Sequence, residues 1–92
     1  MEITNYSISQ LKDPTGIITG ERYEFLLDVE VDEEDELYTE GGLELRVIIA
    51  VEDTDARIAF YNFIDKLSRT ALEFALEEDE EAEVLAYCQG KL

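Results

Sequence analysis

The sequence predicts an α+β fold, a largely antiparallel sheet of about five strands with one C-terminal helix packed on one face. Apolar residues recur at every second position in residues 23–31 and 43–51, which is the spacing of half-buried strands. The spacing becomes helical only after residue 79. At 92 residues with 46% apolar content, the chain is the length of one domain and can build a core, so we expect a single domain over residues 1–92.

The first predicted strand covers Glu2 to Leu11 and is only half apolar. A type I turn is expected next at Asp13-Pro14-Thr15-Gly16, because Asp, Pro and Gly hold the positions that this turn favours. A bend or bulge is expected at Gly20. Beyond Gly20 the alternation of apolar and polar residues becomes clearer.

The second and third strands form the predicted centre of the sheet, joined by the acidic stretch 32–40 and a turn at Gly41-Gly42. Alternate residues in both strands face one side and are apolar. Ile48 and Ala50 make the third strand apolar on its other side as well, so it is predicted to be central. The residues that we expect to be buried in these adjacent strands are Phe25, Leu27, Val29, Leu45, Val47 and Ile49.

A hairpin turn is predicted at residues 52–55, followed by a fourth strand over 57–64 and a short fifth strand over 71–76. In the fourth strand, alternation assigns Ile58, Phe60 and Ile64 to one side, and Ala59, Tyr61 and Phe63 to the other. The two apolar sides suggest that something covers the sheet.

The predicted helix has Asp79 as its N-cap and acidic residues in its first turn, where the helix dipole favours them. Val84, Leu85 and Cys88 form its apolar stripe, and Gly90 is expected to end it in a left-handed conformation. Lys91 would then lie at the negative end of the dipole. Because so short a helix is unstable alone, it is predicted to dock on the second apolar face of the central strands.

Charge and composition exclude several classes of function. The chain has 24 acidic and 7 basic residues, a net charge of −17, so it is expected to bind neither nucleic acid nor an anionic membrane. It has no histidine, which removes the commonest acid–base catalyst and metal ligand. Its one cysteine, Cys88, lies on the apolar stripe and is expected to pack as a small hydrophobic residue. We therefore predict no catalytic residues and no enzymatic activity.

The sequence also allows predictions about metal binding and cellular location. Asp32 to Glu36 supplies carboxylates but lacks the alternating ligands and sixth-position glycine of an EF-hand loop, so no metal ligand and no cofactor is predicted. The N-terminus lacks the features of a signal peptide, and no apolar run reaches the ~18 residues of a membrane span. The expected location is the cytoplasm.

Four stretches resemble a known family. They are the opening Met-Glu-Ile-Thr-Asn-Tyr-Ser, the Asp-Pro-Thr-Gly-Ile turn at 13–17, the stretch 23–37 and the Glu-Glu-Asp-Glu-Glu run at 77–81. In these the chain resembles a family of short acidic bacterial proteins of unknown function, sometimes labelled pullulanase-like. The resemblance implies no catalytic residues, since starch-debranching enzymes place their carboxylates in a domain several times larger.

The acidic residues suggest one positive function. Residues 21–36 hold nine acids and one base, and residues 73–83 hold seven acids and no base. If these clusters share a face, their field would steer a basic protein partner towards it. The alternatives are a charged surface that only maintains solubility, and a small-ligand or divalent-cation site in a pocket between helix and sheet. The candidate partner surface is Asp32, Glu33, Glu34, Asp35, Glu36, Glu78, Asp79, Glu80 and Glu81.

Overall fold

A computed structural model describes residues 1–12 and 20–92 of the chain. Five antiparallel strands lie in the order β1-β2-β3-β4-β5, so each strand pairs with the next in sequence, and one helix follows. This confirms the predicted fold class. The predicted turn at 13–16 lies outside the described residues. The elements are β1 (Glu2–Leu11), β2 (Glu21–Glu30), β3 (Leu43–Glu52), β4 (Asp55–Asp65), β5 (Ala71–Leu72) and α1 (Glu78–Gln89).

The core lies on one side of the sheet, which we call the inner face. Phe25 and Leu27 of β2 pair with Val47 and Leu45 of β3, and all four side chains are fully buried. The period of two in both strands places these residues on one face. The six residues that the sequence predicted to be buried are all buried, so that prediction is confirmed.

The helix packs on this same inner face, so the prediction that it docks on the second apolar face was wrong. Val84 and Cys88 are fully buried and belong to one cluster with Phe25 and the other inner-face residues. The opposite, outer face keeps Phe60 55% exposed. Its apolar residues alternate with charged ones such as Glu24 and Arg46, which would lose their hydration under a helix. The outer face is therefore too polar to be the core.

A bulge in β4 also corrects the predicted faces of that strand. Ile48 pairs with Phe60, but its neighbour Ile49 pairs with Ile58, which leaves Ala59 as an extra residue. An extra residue shifts the alternation by one position. Ile58 consequently packs against the core with Tyr61, whereas the sequence assigned it to the side of Phe60.

The predicted fifth strand ends early. Only Ala71 and Leu72 pair with β4, and the chain then leaves the sheet. Leu76, only 7% exposed, points into the core, and its N–H donates to Tyr61 Oη at 2.8 Å. A side-chain acceptor thus replaces the strand partner that this amide would need. The alternation over 71–76 therefore predicted a longer strand than the structure has.

Both ends of the helix differ from their predictions. Its N-cap is Glu77, two residues before Asp79, and Glu80 Oε1 accepts a hydrogen bond from the Glu77 N–H at 3.0 Å, as in a capping box. The pair is three residues apart, the spacing that such a box requires. Gly90 is right-handed, with φ of −68°, because its N–H still bonds Ala86 within the helix. Lys91 Nζ lies over the rings of Tyr6 and Tyr87.

The other predicted bends and turns that lie within the described residues follow the sequence prediction. Gly20 and Gly42 have φ of 76° and 96°, values that favour glycine, at the predicted bend and turn. The β3–β4 hairpin turns between Glu52 and Asp55, as predicted.

Candidate functional site

The β2–β3 connection forms the first wall of the candidate site. Its backbone turns through hydrogen bonds from the Asp35 N–H to the Asp32 oxygen and from the Tyr38 N–H to the Asp35 oxygen, at 2.9 and 3.0 Å. Asp35 Oδ1 accepts a further bond from the Leu37 N–H at 2.9 Å. Leu37 packs against the core, so the apolar side chain anchors an otherwise acidic loop.

The segment before the helix forms the second wall. Burial of Leu76 and its bond to Tyr61 hold this segment against the sheet. Phe74 stays 36% exposed just before that anchor, and the N-cap Glu77 follows it. The first helical turn contains four acids, which the positive end of the helix dipole stabilises.

These two walls meet in a cleft of about 210 Å³, which we call the acidic cleft. Acidic residues from both acidic clusters line it together with apolar residues, and no basic residue lines it among the residues that the structure describes. Parts of the two clusters, which are more than thirty positions apart in the sequence, therefore share a site. Its lining residues are Asp35, Glu36, Leu37, Phe74, Ala75, Glu77, Asp79 and Glu80.

Two of the carboxylates are already held in place by backbone amides. The Leu37 N–H fixes Asp35, and the Glu77 N–H fixes Glu80. A carboxylate has lone pairs for several donors, so each group can accept a further bond from a cation. Fixing them beforehand lowers the side-chain entropy that the protein loses when a ligand binds. Chemically, the cleft can accept hydrogen bonds from a guanidinium or ammonium group and cover its apolar stem.

The candidate surface predicted from sequence is divided by the fold. Asp35, Glu36, Asp79 and Glu80 line the acidic cleft. The others lie elsewhere on the surface: Glu33 lines a depression beside Tyr38 and Gly42, Glu81 lines a groove beside Phe60 and Tyr61, and Asp32, Glu34 and Glu78 are exposed outside the cleft.

Four lining residues were not in the predicted surface, namely Leu37, Phe74, Ala75 and Glu77. Glu77 could have been found from the capping-box spacing of Glu77 and Glu80. The three apolar residues carried no signal of their own, because an apolar residue between acids is equally consistent with the core.

Several basic residues pair with acids on the outer face of the sheet, away from the acidic cleft. Arg46 binds Glu24 at 2.7 Å, and Lys66 binds Asp28 at 2.8 Å. The hydrogen bond from Lys66 to Asp28 raises the pKa of that lysine. Arg69 lies 3.6 Å from the largely buried Glu44. The outer-face acids are thus partly compensated within the chain.

The structure also bears on metal, ligand and membrane binding. Among residues 1–12 and 20–92, no three acidic or cysteine side chains converge where they could hold a metal ion. Between β1 and the helix lies an open depression of about 490 Å³, lined by Met1, Glu2, Ile3, Glu83, Ala86 and Tyr87. In the described part of the chain, no helix has the length and apolar character to cross a membrane.

Cys88 is fully buried, as its place on the apolar stripe predicted, and burial raises its pKa to about 12. We expect iodoacetamide to alkylate it very slowly at pH 8 in buffer, because the thiolate is the reactive form, and rapidly in urea. Mass spectrometry over time measures both rates. A native rate within about threefold of the unfolded rate would contradict this burial.

The raised pKa of Cys88 also sets a direction for stability against pH. The native thiol keeps its proton between pH 9, the ordinary value for this group, and about 12, whereas the unfolded thiol loses it. This group therefore contributes a loss of stability as pH rises through that range. A Cys88→Ala variant serves as the control, since it lacks this contribution.

Comparison with known proteins adds one relation. No curated protein and no solved structure gives a significant match to the chain. A family model described as a family of unknown function (DUF6509) matches residues 1–92. The match covers every strand and the helix, including both walls of the acidic cleft. The chain therefore belongs to this family of unknown function, DUF6509.

Proposed function

We propose that this protein is a non-catalytic cytoplasmic binding protein whose acidic cleft takes an arginine- or lysine-bearing segment of a basic protein partner. The observation that supports the proposal is that Asp35 and Glu36 line one cleft together with Glu77, Asp79 and Glu80. These groups come from two distant parts of the chain. Because they line the same cleft, they concentrate negative charge there, which an acidic composition does not by itself ensure.

The shape and apolar content of the acidic cleft favour an arginine side chain. Phe74 is partly exposed in the wall, and an aromatic face attracts a guanidinium. Leu37 and Ala75 can contact the methylene stem of a long basic side chain. Fixed carboxylates then orient the charged group, and arginine binds carboxylates in a planar, two-pronged geometry.

The field of the whole molecule assists this role. A net charge of −17 attracts a basic partner from a distance and accelerates encounter, with a strong dependence on salt. The same field repels nucleic acids and anionic membranes. A second candidate function is a small-ligand or divalent-cation site. We place it second because the helix–sheet interior is filled by Val84 and Cys88.

The test measures a fluorescein-labelled arginine–glycine peptide by fluorescence anisotropy. One variant carries Asp35→Asn, Glu36→Gln and Asp79→Asn in the cleft. We expect it to bind the peptide about tenfold more weakly, a loss of about 1.4 kcal/mol, because three carboxylates facing the guanidinium are removed. Calcium and magnesium titrations by calorimetry, on the unmodified protein, test the second candidate.

A matched control separates the cleft from bulk charge. Glu33→Gln, Glu34→Gln and Glu40→Gln remove three exposed acids outside the cleft, so both variants have the same net charge. The control should weaken binding by less than about threefold. An equal loss in the two variants would mean that the peptide senses only the overall field, and the cleft proposal would fail.

A further inference from the structure

Strand β1 forms a free edge of the sheet that is long, exposed and almost uncharged. It is the first strand in the sheet order, so among the described residues only β2 pairs with it. Nine of its ten residues are exposed, the exception being Ile3. Its single charged residue is Glu2, in a chain of which 34% is charged. Free edges are usually protected by charges, prolines or bulges, and here only the bulge at Thr4 is present, near one end.

The backbone of β1 offers hydrogen bonds at that edge. The Tyr6 N–H bonds the side chain of its neighbour Asn5 at 2.9 Å, so it is directed away from β2. Alternate amides of a strand point the same way, which directs the N–H groups of Ile8 and Gln10 to the free edge too. Tyr6 and Ile8 are 39% and 38% exposed on the inner face.

The sequence of β1 is complementary to itself when read in the antiparallel direction about Ser7. In that register Tyr6 of one copy faces Ile8 of the other, Asn5 faces Ser9, and Ser7 faces its own counterpart. The Tyr6–Ile8 pairs are those whose amides point outwards, so they form about four backbone hydrogen bonds across the edge, and the Tyr6 N–H exchanges its bond to Asn5 for one of them. Apolar side chains meet on the inner face and polar ones on the outer face.

Charge favours a second copy at this edge over other faces. Two chains of −17 repel each other strongly wherever acids are exposed, but β1 contributes one acid per copy. Glu2 of one strand lies at the same end of the pairing as Lys12 of the other, so each end brings one acid and one base together. We propose that two copies of this chain associate through antiparallel pairing of β1, centred on Ser7, to form one continuous ten-stranded sheet.

The test uses the position that meets itself at the two-fold axis. Opposed side chains in an antiparallel pair lie about 5 Å apart, so Ser7→Lys and Ser7→Glu each place like charges together, whereas a mixture of the two places opposite charges together. Sedimentation equilibrium in about 0.3 M NaCl, which screens the general repulsion, gives the dimer dissociation constant of each sample. Circular dichroism verifies that each variant folds.

We expect a wild-type dimer, at least a tenfold weaker dimer for each variant alone, and recovery in the mixture to within about threefold of the wild type. Thr54→Lys and Thr54→Glu, in the exposed β3–β4 turn, are the charge-matched controls and should change little. A wild-type protein that stays monomeric up to about 500 µM would overturn the proposal. The proposal would also be overturned if the dimer dissociation constant were the same for the wild type, Ser7→Lys and Ser7→Glu, or if the mixture of the two variants associated no more tightly than each variant alone.

Discussion

Phe25→Ala is expected to lower the free energy of unfolding by about 3–5 kcal/mol, the largest loss that we predict for a simple truncation. Phe25 is fully buried on β2, pairs with Val47 and Ile8 on either side, and packs in the buried cluster of the inner face. Removing its ring leaves a cavity that strands on both sides cannot close without losing their pairing. Urea unfolding followed by circular dichroism measures the change.

Phe60→Ala is the matched control, because it removes the same side chain from the opposite face of the same sheet. Phe60 is 55% exposed, so its truncation should cost less than about 1 kcal/mol. Equal losses at the two positions would contradict the assignment of inner and outer faces, as would a loss below about 1 kcal/mol for Phe25→Ala.

Val84→Asp is expected to destabilise the protein by about 3–5 kcal/mol or to detach the helix. Val84 is fully buried between helix and sheet, and a carboxylate there would have to lose its hydration without gaining a partner. This substitution tests the packing of α1 on the inner face. Urea unfolding gives the free energy, and circular dichroism gives the helix content.

Ala86→Asp controls for the effect of an aspartate on the helix itself. Ala86 is exposed on the same helix, so this variant shares the added charge and the lower helix propensity but buries nothing. Its cost should be about 0.5–1 kcal/mol. If Val84→Asp were as mild as this control, the helix would not be docked through Val84.

Local patterning predicted most of the fold but could not select the face that the helix covers. A period of two assigns residues such as Phe25 and Leu45 to one side correctly, because each strand's alternation is a local property. Ile48 and Ala50 suggested a second apolar face. The residues beside them on the neighbouring strand determine which face the helix covers. The ion pair of Arg46 with Glu24 keeps the outer face hydrated, and this ion pair depends on the register of β2 and β3.

Two further differences also arise from interactions that sequence spacing does not reveal. The β4 bulge at Ala59 moves Ile58 to the inner face, and nothing in an alternating run indicates one extra residue. The chain leaves β5 after Leu72, and the Leu76 N–H bonds Tyr61 Oη instead of a neighbouring strand. For the candidate site, the two acidic clusters are evident in the sequence. That parts of them line one cleft depends on the path of the chain after β5, which the sequence did not predict.

The central claim, that the acidic cleft binds a basic segment, is tested most directly by mapping where that segment binds. A ¹⁵N-labelled sample titrated with the arginine–glycine peptide should show its largest amide shift changes at Leu37, Phe74, Ala75 and Glu77, which line the cleft. These changes should saturate together with one dissociation constant. Shift changes that are spread evenly over all acidic segments, including residues 33, 34 and 40, or that are largest away from the cleft, would contradict the account.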